Sequence, residues 1–131
     1  MTMDTIRISL HILAASVWVG GQIVLAGLVP ALRSLGPDAP RTVAQRFNLI
    51  AWPAYVLLLF TGIWNMLDVL DTDQDIHPLI EIKVMFFVLS GVGAFIHMRA
   101  NGNKALLAIG GAMSSLFAVA ALFVGVALSI G

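Results

Sequence analysis

Four apolar runs make up most of the chain, and three short polar breaks separate them. A helix that spans a membrane takes roughly 20 mostly apolar residues. The pattern predicts four such helices, over about 6–32, 47–67, 78–98 and 106–130. Gly36, Pro37 and Pro40 break the chain after the first. Pro53 lies inside the second, where a missing N–H predicts a kink. An acidic loop, Asp68 to Asp75, follows. Pro78 opens the third helix at a first-turn position, where no N–H is needed. A tight Asn101-Gly102-Asn103 turn leads into the fourth. The expected fold is all-α: a four-helix transmembrane bundle, one transmembrane domain over 1–131.

Composition supports the same class. Hydrophobic residues make up 60% of the chain and charged residues only 11%, against about 25% charged in soluble domains. The mean hydropathy is +0.97. The first run exceeds the roughly 7–15 apolar residues of a signal peptide, and no positive charge precedes it. It reads as a retained helix. With no cysteine, disulfides, thiolate metal sites and cysteine nucleophiles are excluded. No basic tract points to nucleic acid.

Charge placement predicts orientation. Arg33, Arg41, Arg46, Arg99 and Lys104, five of the seven basic residues, flank the first and third loops. Asp4, Asp68, Asp71, Asp73, Asp75 and Glu81, six of the seven acids, lie at the other ends. The positive-inside rule then puts both termini and the acidic loop on the outer side of a bacterial-type plasma membrane.

Two helices carry a polar stripe. On a helical wheel, Asp4, Arg7, His11, Trp18 and Gln22 fall within about 60° of one another. Lys83, Ser90, Ala94, His97 and Asn101 share a face of the third helix, with Gly93 beside it. Thr61 and Asn65 share a face of the second, with Asp68 one turn further out. Polar side chains at membrane depth are costly and are expected to face the bundle interior. By helical rise, His11, Lys83, Asn65 and Asp68 share an outer layer, while His97 lies about 20 Å away in depth. His11 and His97 therefore do not hold one ion together. The fourth helix has no charge within the membrane. Its Gly110, Ser114 and Ala118 recur every four residues, as do Gly111 with Ser115 and Ala121 with Gly125. That spacing suits close helix packing in lipid, within the bundle or between copies.

Each candidate also has a plainer reading. His11 is either a ligand or proton carrier, or a hydrogen-bonding bridge between helices. Lys83 is either part of the outer layer or snorkels to the headgroups. His97, beside Arg99, reads as an interfacial residue and is the candidate for a second site. His77 is expected to pair with Glu81 in water. Methionines such as Met3, Met66 and Met85 near the outer layer are more often packing than copper ligands. The Gly20-Gly21 pair reads as a close helix contact rather than a phosphate loop.

The segment Leu10–Gly21, L-H-I-L-A-A-S-V-W-V-G-G, resembles the opening helix of the copper-resistance D (CopD) family. Thr61–Asn65, T-G-I-W-N, and the lysine of Glu81–Lys83, E-I-K, are similar to later positions of that family. The likeness covers roughly residues 6–98. It implies a membrane-helix bundle that binds or passes copper near its outer face. His11 would be the principal ligand, with Met66 or Asn65 completing the site and Arg7, Trp18, Gln22 and Ser90 as the supporting polar stripe. Neutral imidazole and thioether suit Cu(I), and the acidic loop would gather cations. Family members are longer, and this chain lacks a Met- or His-rich outer segment.

A more distant resemblance is to HemJ-type protoporphyrinogen oxidases, through His11, Trp18 and Lys83. It implies a b-type haem with His11 as axial ligand and Lys83 as second ligand or propionate partner. A third reading is an accessory subunit or homo-oligomer that packs through the fourth helix. The chain carries no soluble-enzyme motif, and a non-catalytic role is the preferred expectation.

Overall fold

The computed structural model of the chain describes residues 2–71 and 78–130, with side chains described throughout except at 69–71. Among them every regular element is helical, as the all-α expectation requires. Four helices are long and apolar enough to cross a membrane. We label them α1 (Met3–Leu35), α2 (Ala39–Asp71), α3 (Pro78–Met98) and α4 (Lys104–Ile130). This is an integral membrane protein.

The first, second and fourth helices run further than the apolar pattern alone implied. Hydropathy marks only the part that sits in lipid, whereas capping and ion pairs carry helices into polar surroundings. Thr2 caps α1, its hydroxyl accepting from the Thr5 amide at 3.1 Å. Asp4 adds negative charge to that first turn, where the helix dipole favours it. Pro40, expected as a breaker, falls in the first turn of α2, where its missing N–H is harmless. At 33 residues, α2 is about 50 Å long and exceeds the roughly 30 Å hydrocarbon core. Asp68 accordingly belongs to this helix and not to a loop. Pro53 in α2 and Pro30 in α1 do not end their helices. The acidic-loop residues Asp73 and Asp75, and the expected pairing of His77 with Glu81, lie outside the described residues.

The chain divides into two compact units, Met1–Gln74 and Asp75–Gly131. The first is an antiparallel hairpin of α1 and α2, turned at 36–38. Gly36 there has φ 152°, a conformation that favours glycine. Its seam follows one register: Arg7 meets Asp68, His11 meets Thr61, Trp18 meets Trp52 and Tyr55, and Gly21 faces Phe47. Ala14 and Ala51, 2% and 1% exposed, keep the helices close between those pairs. Midway along α1, Ser16–Gly20 widens into a π-helical turn. It brings the sequence neighbours Trp18 and Val19 both into the buried interior.

The second unit is a hairpin of α3 and α4. Small residues form its seam, as the four-residue spacing predicted. Gly110, Ser114 and Ala118 are buried against α3, whose Ser90, Gly91 and Gly93 are buried in turn. The Ser90 hydroxyl donates to the Ser114 carbonyl at 2.8 Å. Asn101 and Gly102 take positive φ in the connecting turn. Asn103 then caps α4 by accepting from the amides of Ala105 and Leu106. The outward faces carry large apolar side chains, among them Leu116 and Phe123, each 70% exposed. These are surfaces for lipid.

Candidate functional site

The polar stripe of α1 forms part of the hairpin seam. Near the end that bears the N-terminus, Arg7 is only 8% exposed although it carries a charge. Its guanidinium lies 3.3 Å from Asp4 and 3.3 Å from Asp68, with the Trp64 ring 6.0 Å away. Two carboxylates thus offset one buried cation, as burial of a charge requires. The Asp68 pairing ties α1 to α2.

One turn deeper stands His11. It is eight residues from the start of α1, or about 12 Å by helical rise. Its Nδ1 lies 2.6 Å from the Thr61 hydroxyl. Thr61 is 2% exposed. Its hydroxyl also reaches back along α2, 2.8 Å from the Leu57 carbonyl and 3.2 Å from that of Leu58. Asn65 is one turn beyond Thr61 on the same face. Asn65 and Met66 are half-buried.

Below His11 the seam becomes aromatic. Trp18 is 3% exposed. Its ring lies 4.5 Å from Tyr55 and 5.3 Å from Trp52, and those two rings are 5.5 Å apart. The inclined geometry suits the aromatic quadrupole. Gln22 follows at the next turn and is half-buried. Of the Gly20-Gly21 pair, only Gly21 makes a close helix contact. A β-carbon there would stand 2.5 Å from Phe47, whereas one on Gly20 would meet nothing within 4 Å.

The remaining candidates lie in the second hairpin. Lys83 is half-buried and runs along Gly125, where a β-carbon would meet its Nζ at 3.1 Å. Ser90 serves the seam, as described above. His97 donates from Nδ1 to the Leu107 carbonyl at 2.8 Å and packs against Gly110 and Gly111. That bond closes the α3–α4 turn. Among the described residues, no three His, Cys, Asp or Glu side chains gather as a metal cage.

The α1 stripe is legible in the sequence, but what it meets is not. The helical pattern puts Thr61 on a face with Asn65 without linking it to His11, and nothing in the pattern marks Trp52. The antiparallel register would have found both, because Arg7 with Asp68 and His11 with Thr61 have nearly equal number sums. Comparison of the chain with protein-family models, curated proteins and solved structures finds no match.

Proposed function

We propose that this chain is a CopD-like protein of the bacterial-type plasma membrane that binds or passes Cu(I), with His11 as the principal ligand. The supporting observation is the setting of His11: an imidazole within a membrane-spanning helix, on the seam side, held by Thr61 at 2.6 Å. A residue so costly to place in lipid is expected to have a use, and neutral imidazole is a suitable Cu(I) ligand. Asn65 and Met66, on the turn of α2 beyond Thr61, are the further donors we assign. The orientation with both termini outside belongs to this reading, as does any homo-oligomer or larger complex formed through α4. The test is His11→Ala. Copper bound by the purified protein and copper tolerance of cells should both fall; if neither changes, the reading fails.

A b-type haem protein is the second reading, and one observation favours it. A haem iron needs only a single imidazole from the chain, and His11 supplies one within a membrane-spanning helix, with Thr61 beside its Nδ1. Protein purified from haem-replete cells should then show a Soret band that His11→Ala abolishes. A colourless preparation removes this reading.

A further inference from the structure

We infer that Lys83, lying in a cradle opened by Gly125, binds the phosphate of an anionic phospholipid.

Lys83 is half-buried on α3, five residues past Pro78, or about 8 Å by helical rise. Its side chain crosses to α4. A β-carbon on Gly125 would stand 3.1 Å from Nζ, 3.4 Å from Cε and 4.0 Å from Cδ. The end of the stem therefore rests on bare backbone, in space that a larger residue at 125 would take. Gly125 is itself five residues from the end of α4 at Ile130. The amine is thus held near the end of the hairpin that bears Pro78 and Ile130. A lysine that only snorkels keeps its head in water; this one lies along the neighbouring helix.

The hairpin supplies a seat but no counter-charge. Glu81 is its one acid among the described residues. It is exposed and two positions from Lys83, a spacing at which helical side chains do not face each other. In the first hairpin, Asp4 and Asp68 pair with Arg7. Among the described residues, none forms an ion pair or hydrogen bond with Nζ. A cation drawn out of water without a partner is costly, so an anion from outside the hairpin is favoured there.

The flanks decide which anion. Val84 and Met85 beside Lys83, and Leu122 and Val126 beside Gly125, are exposed on helices that span the membrane. A phospholipid meets both demands. Its phosphate oxygens accept from the three ammonium N–H donors, and its acyl chains cover the apolar flanks. An anionic headgroup is favoured over a zwitterionic one, which carries its own cation beside the phosphate. The inference does not rest on the function proposed above, which concerns the first hairpin.

The chain has two lysines, Lys83 and Lys104, and Lys104 is exposed at the start of α4. Full-length protein with 13Cε-labelled lysine therefore gives two side-chain signals, assigned by the variant Lys104→Met. Delipidated protein in a neutral detergent is titrated with dioleoylphosphatidylglycerol, dioleoylphosphatidylcholine or inorganic phosphate. The phosphatidylglycerol should shift the Lys83 signal and saturate, with little effect from the other two at equal concentration. Native mass spectrometry then counts bound phosphatidylglycerol in variants of unchanged helical circular dichroism. Lys83→Met should bind about 5-fold more weakly, the order expected for one basic residue at a membrane surface. Gly125→Val, which fills the cradle, should also weaken binding, whereas Lys83→Arg should retain most of it and Lys104→Met all of it. A Lys83 signal that phosphatidylglycerol leaves in place, or moves no more than phosphatidylcholine does, overturns the inference. So does undiminished binding in Lys83→Met. Undiminished binding in Gly125→Val overturns the role of the cradle. If inorganic phosphate shifts the signal as far as the lipid, the site takes free phosphate and the phospholipid assignment falls.

Discussion

Gly93 and Gly110 meet backbone to backbone across the second hairpin. A β-carbon on Gly110 would stand 2.7 Å from the Gly93 carbonyl, and one on Gly93 would stand 2.9 Å from the Gly110 carbonyl. Neither obstruction is the tip of a mobile side chain, so neither can swing aside. Lipid offers apolar helices no hydrophobic reason to associate, and close backbone approach supplies the attraction instead.

Gly110→Ala should therefore destabilise this hairpin by about 1–3 kcal/mol, the usual cost of overpacking. Gly62→Ala is the control. Nothing lies within 4 Å of a β-carbon there, and removing a helical glycine should be neutral or stabilising by up to about 1 kcal/mol. Denaturant unfolding in detergent, followed by circular dichroism, compares the two. Equal behaviour of the variants would contradict the close approach.

Trp18 fills the centre of the first hairpin, against Trp52 and Tyr55. Trp18→Ala removes a large buried ring and should cost about 3–5 kcal/mol. Trp64, 36% exposed, provides the contrast: Trp64→Ala should cost clearly less. The same unfolding measurement decides, and a larger loss for Trp64→Ala would show that the aromatic cluster is not the core of this hairpin.

The ion pairs near Arg7 should be unequal in effect. The Asp68 side chain is 54% exposed and Asp4 remains beside Arg7 when Asp68 is neutralised. Asp68→Asn is thus expected to cost no more than about 1 kcal/mol, as for other solvated pairs. Arg7→Ala removes a side chain that is 10% exposed, losing the packing of its long stem as well as its charge. It should destabilise more than Asp68→Asn in the same assay. The reverse order would mean that the carboxylate, and not the buried guanidinium, holds the helices together.

Much of this architecture was legible because a bilayer permits few solutions. Apolar runs of spanning length have to be helices, and the third is found at its expected bounds, Pro78–Met98. The seam of the second hairpin was also legible, since Gly110, Ser114 and Ala118 repeat at helical spacing. What the sequence hid were relations between helices. The contact of His11 with Thr61 depends on the register of α1 against α2, which no single-helix pattern encodes. The widened turn at Ser16–Gly20 also has no local sequence signature that we can identify. Apolarity stops short of the true helix ends because Asp4, Arg41 and Asp68 are helical but polar. In the second hairpin, Gly110, Ser114 and Ala118 of that stripe are buried in the seam with α3.

Orientation in the membrane has its own test. Arg33, Arg41 and Arg46 lie near the turn of the first hairpin, and Arg99 and Lys104 near that of the second. Basic residues close to short loops resist translocation, so both turns are expected on the cytoplasmic side and both termini outside. The chain has no cysteine, so single-cysteine variants report one position each. Met3 is 63% exposed, and Asp38 and Ala105 are exposed beside the two turns. In intact spheroplasts, a membrane-impermeant maleimide should label Met3→Cys. Asp38→Cys and Ala105→Cys should react only after the membrane is opened. The opposite pattern would invert the protein and place the Arg7–His11 end of the first hairpin on the cytoplasmic side. The proposed copper site would then face the cell interior. Labelling of Asp38→Cys and Ala105→Cys from different sides would instead show that charge bias does not govern how the two hairpins insert.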